Sequence, residues 1–249
     1  MMRAAGRRRN ERKPLGILSV LLLGVALTNG CATNGPDPYE ETNLSVFAFN
    51  EGVDRIILEP VAKGWDFVLP DFVQTGIGNF FDNLRMIRTG LNDLLQGKPG
   101  RAGTDMRRFL VNSTVGIVGL VDVASMAEIP HYREDFGQTL GVWGFGPGSY
   151  LVVPFLGPSS SRDLLAWPID LMTVPTAYGV STLDVINARA KYLEEIADNR
   201  KTALDYYVFV RNAYLQARAR QVADGEEDAE EEDEDFYDLE DDEPSEPAD

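Results

Sequence analysis

Very few residues in this chain are of types that could perform covalent chemistry. The 249 residues include one histidine, His131, and one cysteine, Cys31. His131 lies in the turn-like Pro130-His131-Tyr132-Arg133, with no nucleophile or orienting acid beside it, and reads as a loop histidine rather than a member of a triad. The serines of Gly157-Pro158-Ser159-Ser160-Ser161-Arg162-Asp163 lack the second glycine of a nucleophile elbow. They read as a helix start, with Ser160 or Ser161 capping and Asp163 favourable in the first turn. Gly144-Phe145-Gly146-Pro147-Gly148 lacks the spacing of a dinucleotide cradle. One histidine and one cysteine are a poor basis for a transition-metal site. Paired acids for general acid and base work stay open, because spatial pairing is invisible in a sequence. The reading is therefore a protein without catalytic residues, metal or cofactor.

Cys31 needs its own explanation, since it has no intramolecular disulfide partner. Ahead of it stand Arg3, Arg7, Arg8, Arg9, Arg12 and Lys13, then an apolar run from Leu15 to Leu27. That is a secretory signal layout. A helix of this run would be about 20 Å long, short of the roughly 30 Å of a bilayer core. Leu27-Thr28-Asn29-Gly30-Cys31 resembles the lipobox at which bacterial lipoproteins are cleaved and diacylated, with Leu27 one position further from the cysteine than usual. Two readings stand side by side, a lipid anchor on Cys31 or an ordinary signal peptide with a free thiol. Ala32, in place of an aspartate that retains such lipoproteins in the inner membrane, points to the outer membrane.

Charge narrows the partners. Residues 224–249 carry 17 acids and no base, and residues 31–223 carry 22 acids against 17 bases. No basic stripe is available to neutralise phosphates, which argues against nucleic acid. The tail, self-repelling and nearly without apolar residues beyond Phe236, Tyr237 and Leu239, is expected to be disordered.

The elements between anchor and tail are mostly helical. After a Pro36/Pro38 tether, an amphipathic segment is expected from Leu44 to about Leu58, stopping before Pro60. From Asp71, apolar residues recur at steps of three and four to Leu95, with Gly97 and Pro99 as stop signals. A third helix covers about Arg101 to Val111 and leads into a glycine-broken apolar stretch ending at Met126. From Glu134 to Gly157 the helical period vanishes among glycines and aromatics, predicting loop or short irregular structure. Residues 150–178 are the most apolar of the mature chain but are interrupted by Pro154, Pro158, Pro168 and Pro175, which suits a buried hairpin or an element lying in a membrane interface. Two further helices follow, one with Leu183, Ile186, Ala190, Leu193 and Ala197 on its apolar side, the other from about Thr202 to Val222. No strand alternation stands out. The expected organisation is a signal peptide over 1–30, a lipidated tether over 31–41, an all-α domain over 42–223 and an acidic tail over 224–249.

Several blocks of residues carry a family resemblance. Asn43-Leu44-Ser45-Val46-Phe47-Ala48-Phe49-Asn50-Glu51-Gly52-Val53-Asp54, then Asn92-Asp93-Leu94-Leu95-Gln96-Gly97-Lys98-Pro99, Arg108 to Gly116, Glu134 to Gly144, Tyr150 to Asp163 and Arg211-Asn212-Ala213-Tyr214-Leu215 follow one another as in the MlaA/VacJ outer-membrane lipoproteins, which the chain resembles from about 39 to 220. The resemblance implies a ring-like helical domain in the periplasmic leaflet of the outer membrane around an amphipathic passage. Mislocalised phospholipid would descend from the outer leaflet through it to a periplasmic carrier protein, with trimeric porins alongside. It makes Phe47, Phe49, Asn50 and Asp54 candidates for a segment whose packing governs opening. The stretch from Arg162 to Pro175, with Asp163, Asp170 and Leu171, becomes a candidate gate or membrane-contacting element. The alternatives are an adaptor that merely tethers a porin or carrier, and a lipid hydrolase, for which the sequence shows no nucleophile and base.

Overall fold

The computed structural model describes residues 37–173 and 178–224, so the signal segment, Cys31 and the tail beyond Asp224 lie outside the described residues. The first helix, α1 (Glu40–Val53), opens with Glu40 and Glu41, whose charges suit its N-terminal dipole. It does not stop before Pro60. A five-residue π turn, Asp54–Leu58, links it to α2 (Glu59–Val68) with helical backbone angles throughout. Pro60 thereby falls in a new first turn, where a missing N–H costs little. Leu69 turns extended ahead of Pro70 and ends the run.

Helix α3 (Asp71–Leu95) follows the expected pattern, and Gly97 takes a left-handed φ of 77° just past its end. Helix α4 (Pro99–Thr114) folds back along it as the most extensive helix pair among the described residues. The 115–121 turn, left-handed at Ile117, Val118 and Gly119, is held to α3 by Asn79 Nδ2 donating to the Leu120 carbonyl at 3.2 Å. Asp122 caps α5 (Val123–Met126) and accepts both from Asn112 and from the buried Arg108.

The glycine-rich stretch is more regular than expected. Asp135 accepts from the Gln138 N–H at 2.8 Å and starts α6 (Phe136–Val142). An antiparallel ribbon of β1 (Tyr150–Val153) and β2 (Gly157–Ser160) follows, with Tyr150 opposite Ser160 and Val153 opposite Gly157. Two asparagines of α1 complete the ribbon. Asn43 donates to the Tyr150 carbonyl and accepts from the Val152 N–H, and Asn50 does the same for Val153 and Phe155. Their amides satisfy backbone groups that a two-stranded edge would leave open.

Ser160 caps α7 (Ser161–Thr173), its hydroxyl accepting from the Asp163 N–H at 3.2 Å, and this helix continues through Pro168. The last three helices are α8 (Tyr178–Lys191), α9 (Leu193–Thr202), which a break at Tyr192 separates from α8, and α10 (Tyr206–Val222), capped by Asp205. Tyr150, Val152 and Tyr207 form a small aromatic core with Phe47, whose ring stands edge-on to Tyr207 at 5.4 Å. Such pairs contribute about 1 kcal/mol beyond area burial.

Burial is distributed in an unusual way. Among the described residues 16 polar or charged side chains are buried against 11 apolar ones, while Phe67, Phe72, Phe155 and Met172 are at least three-quarters exposed. An exterior this apolar is too large for a surface meant for water alone. No helix among the described residues is long and apolar enough to cross a membrane.

Candidate functional site

Four cavities between the helices share walls in series. The first, about 650 Å³, is mainly apolar, lined by Phe47, Val53, Ile57, Phe155, Leu156 and Val185, with Asn50 and Asp54 on its polar side. Leu156 and Pro158 also line the second, about 290 Å³, where Leu164 and Trp167 face Asp135, Asp163, Asp170 and Arg218. Arg88 lines both the second and the third, about 350 Å³, which adds Asp82, Arg85, Arg133, Asp184 and Lys191. The fourth, about 560 Å³, shares Gly78, Asp82, Asn187 and Lys191 with the third and carries Asp66, Asp71 and Glu194. An amphiphile entering the series meets apolar walls at one end and charged walls at the other.

Two acid–arginine knots stiffen these walls. In the first cavity Asp54 receives Arg189 in a forked pair at 2.8 and 3.0 Å, and Arg200 at 2.7 Å. Arg200 also reaches Glu51 and Glu59, so the π turn of the first segment is tied to α8 and α9. Burial would raise the Asp54 pKa, but the two arginines outweigh it and hold the carboxyl below its usual range. In the second cavity Arg218 of α10 joins Asp135 at 2.7 Å to Asp163 at 2.9 Å, and Tyr214 donates to Asp163 at 2.5 Å. Against the same opposing effect of burial, these donors bring Asp163 down to about 2, while burial and then the bond to Asp163 push the Tyr214 phenol up. Gly137 leaves the space for this closure. A Cβ there would lie 2.7 Å from Arg218 Nη2 and closer still to Asp163.

The residues singled out from the sequence thus fall in different places. Phe47, Asn50 and Asp54 line the first cavity, and Asp163 and Asp170 the second. Phe49 instead stands edge-on to Phe155 at 5.2 Å on an exposed surface, and Leu171 is half exposed on α7. Asp170 accepts from the Phe136 N–H at 3.0 Å, tying α7 to the start of α6. His131 sits in the loop before α6, on the wall of the third cavity; desolvation there, with Arg108 and Arg133 nearby, lowers its pKa. The arginines that partner these acids, Arg189, Arg200 and Arg218, carried no local signal, because each is more than 50 residues from its carboxylate. Among the described residues no group of three or more His, Cys, Asp or Glu side chains is arranged to hold a metal ion.

Comparisons with known proteins follow the same outline. The family model described as MlaA lipoprotein matches residues 35–221. The chain is 36% identical over 220 residues to the intermembrane phospholipid transport system lipoprotein MlaA of Escherichia coli, covering 80% of this chain and 86% of that protein. It is 34% identical over 233 residues to the protein of the same description from Haemophilus influenzae, with coverages of 84% and 91%. A solved structure from work on the structural basis for maintenance of bacterial outer membrane lipid asymmetry superposes with a TM-score of 0.65 at 33% identity, over 75% of this chain and 98% of that one.

Proposed function

The chain belongs to the MlaA lipoprotein family, and we propose that it removes phospholipid from the outer leaflet of the Gram-negative outer membrane and passes it through its cavity series to a periplasmic carrier, maintaining lipid asymmetry. The observation that carries this reading is the reversed burial: polar side chains inside and large apolar ones outside, with no helix among the described residues long and apolar enough to span. Acyl chains can contact the exterior and the first cavity, while a headgroup needs the polar interior. Binding and release of lipid require no bond to be made or broken, which fits a transporter rather than an enzyme.

Cys31 is the lipid anchor in this reading, placing the body on the periplasmic side. Several acyl chains at about 0.8 kcal/mol per buried methylene make such attachment stable. A trimeric porin is the neighbour expected in the membrane. Phe47, Asn50 and Asp54 control the first cavity, and Asp163 and Asp170 the second, with Leu171 presented outward. Deleting the gene should make phospholipid accumulate at the cell surface and weaken the barrier to detergent; an unaltered outer leaflet overturns the reading. Leu171→Asp separates transport from tethering. If the variant folds and holds its partners, lost asymmetry supports transport, and intact asymmetry favours a mere adaptor.

A further inference from the structure

The third cavity is a positive site in a chain of formal net charge −17. Its wall carries four cations, Arg85, Arg88, Arg133 and Lys191, against two carboxylates, Asp82 and Asp184. Both carboxylates are already taken by Arg85, which binds Asp82 at 2.6 Å and also Asp184, and Arg133 reaches Asp82 from an exposed position at 3.5 Å. Arg88 and Lys191 are left over, with Asp170 across the shared wall near enough to feel the Arg88 charge and Lys191 standing over the Tyr192 ring at 5.6 Å. Among the described residues neither makes an ion pair, and Arg88 Nε is shielded from solvent with no acceptor. A shielded guanidinium nitrogen without an acceptor pays for desolvation unless an anion visits it.

Position adds the second argument. Arg88 forms the shared wall between this cavity and the one lined by Leu156, Leu164 and Trp167. A ligand whose anion lies at Arg88 therefore has the apolar side chains of Leu156, Leu164 and Trp167 behind the anion, on one side of a cavity whose acids Asp135 and Asp163 are held by Arg218. The adjoining fourth cavity, with Asp66, Asp71, Asp82 and Glu194 against Lys191, repels anions and marks a boundary to that station.

Resting on the transport reading above, we propose that Arg88 and Lys191 form a phosphate station that holds the phosphodiester of a lipid headgroup while an acyl chain lies against Trp167. Guanidinium and ammonium both donate charge-assisted hydrogen bonds to phosphate, with Arg88 able to offer two at once. Zwitterionic and anionic phospholipids share this phosphodiester, so the station reads the phosphate and not the substituent beyond it.

The test is binding of dihexanoyl phosphatidylglycerol, dihexanoylglycerol and inorganic phosphate to the full-length protein in neutral detergent. The phospholipid should bind, and dihexanoylglycerol, which lacks the phosphate, about tenfold more weakly. Arg88→Gln should weaken phospholipid binding about tenfold and Lys191→Gln about threefold, each more at low salt, as expected for charge-assisted contacts. Lys201→Gln, at an exposed site, controls for net charge. Arg88→Gln should fold normally because it removes no ion pair; if it does not, Lys191→Gln decides. Phospholipid binding that is unchanged in Arg88→Gln and Lys191→Gln overturns the station and leaves transport standing. Failure of the wild-type protein to bind phospholipid at all sinks the transport reading and the station with it. Inorganic phosphate binding that depends on Arg88, with lipid binding that does not, assigns the site to a soluble anion and overturns the lipid assignment.

Discussion

Two groups of buried acids in this molecule are treated in opposite ways. On the cavity walls Asp54, Asp135 and Asp163 each receive an arginine, and their pKa values fall despite burial. Where α3 meets α4, Asp93 and Asp105 are fully buried, and no donor among the described residues reaches any of their four carboxyl oxygens. Burial, reinforced by Asp93, pushes Asp105 up to about 8. Glu134 beside them rises to about 7, chiefly through burial, although Gln96 donates to it and Lys98 and Arg101 lie near 4 Å away. Partnered acids act as fixed negative charges that lock helices together. Asp105, with no such partner, keeps its proton at neutral pH and is held by the α3–α4 packing rather than holding it. Stability near the cavities should therefore depend on arginines, and stability of the α3–α4 pair on proton concentration.

The largest effect should come from removing the hub of a knot. Arg218→Ala strands Asp135 and Asp163, both mostly buried, and is expected to cost about 3 to 5 kcal/mol in denaturant unfolding at pH 7. A double variant, Arg218→Ala with Asp163→Asn, should recover part of that loss. Additive losses would show that the two side chains are not coupled and that no knot exists. Next comes Gly137→Ala, whose added methyl intrudes on Arg218 and Asp163; a loss of about 2 kcal/mol is expected from overpacking. A thermal midpoint equal to wild type would mean the knot has slack.

Local signals explain which parts of this architecture could be read beforehand. Helix α3 was legible because its apolar period is unbroken and Gly97 offers the left-handed stop it needs. Pro60 misled because a π turn a few residues earlier resets the helix, and nothing in the local composition announces one. The ribbon after Gly148 was invisible because it is completed by Asn43 and Asn50, about 105 residues upstream. The same holds for the walls: the family resemblance names Asp54, and Asp163 stands out as a polar residue in a broken apolar stretch, whereas their arginines and Arg88 become meaningful only when distant helices meet.

The pH dependence is the sharpest test of the comparison, because its sign is opposite in the two regions. For Asp163 the folded pKa is about 2 against an ordinary 3.8, so its contribution is present above about pH 4 and lost as pH falls toward 2. For Asp105 the folded pKa is about 8 against 3.8. Between those values the folded protein keeps a proton that the unfolded chain has released, so stability declines as pH rises from about 4 to about 8 and then levels off. Glu134 adds a decline in the same direction between 4.5 and about 7. Asp105→Asn mimics the neutral acid and removes one slope. Its stabilising effect should be larger at pH 9 than at pH 5, read as the difference between unfolding curves at the two values. Asp163→Asn should instead destabilise at pH 7, with the deficit narrowing as the pH is lowered toward 2. If Asp105→Asn gave the same shift at pH 5 and pH 9, the carboxyl would not be titrating in the folded state, and the distinction between partnered and unpartnered acids would lose its thermodynamic content.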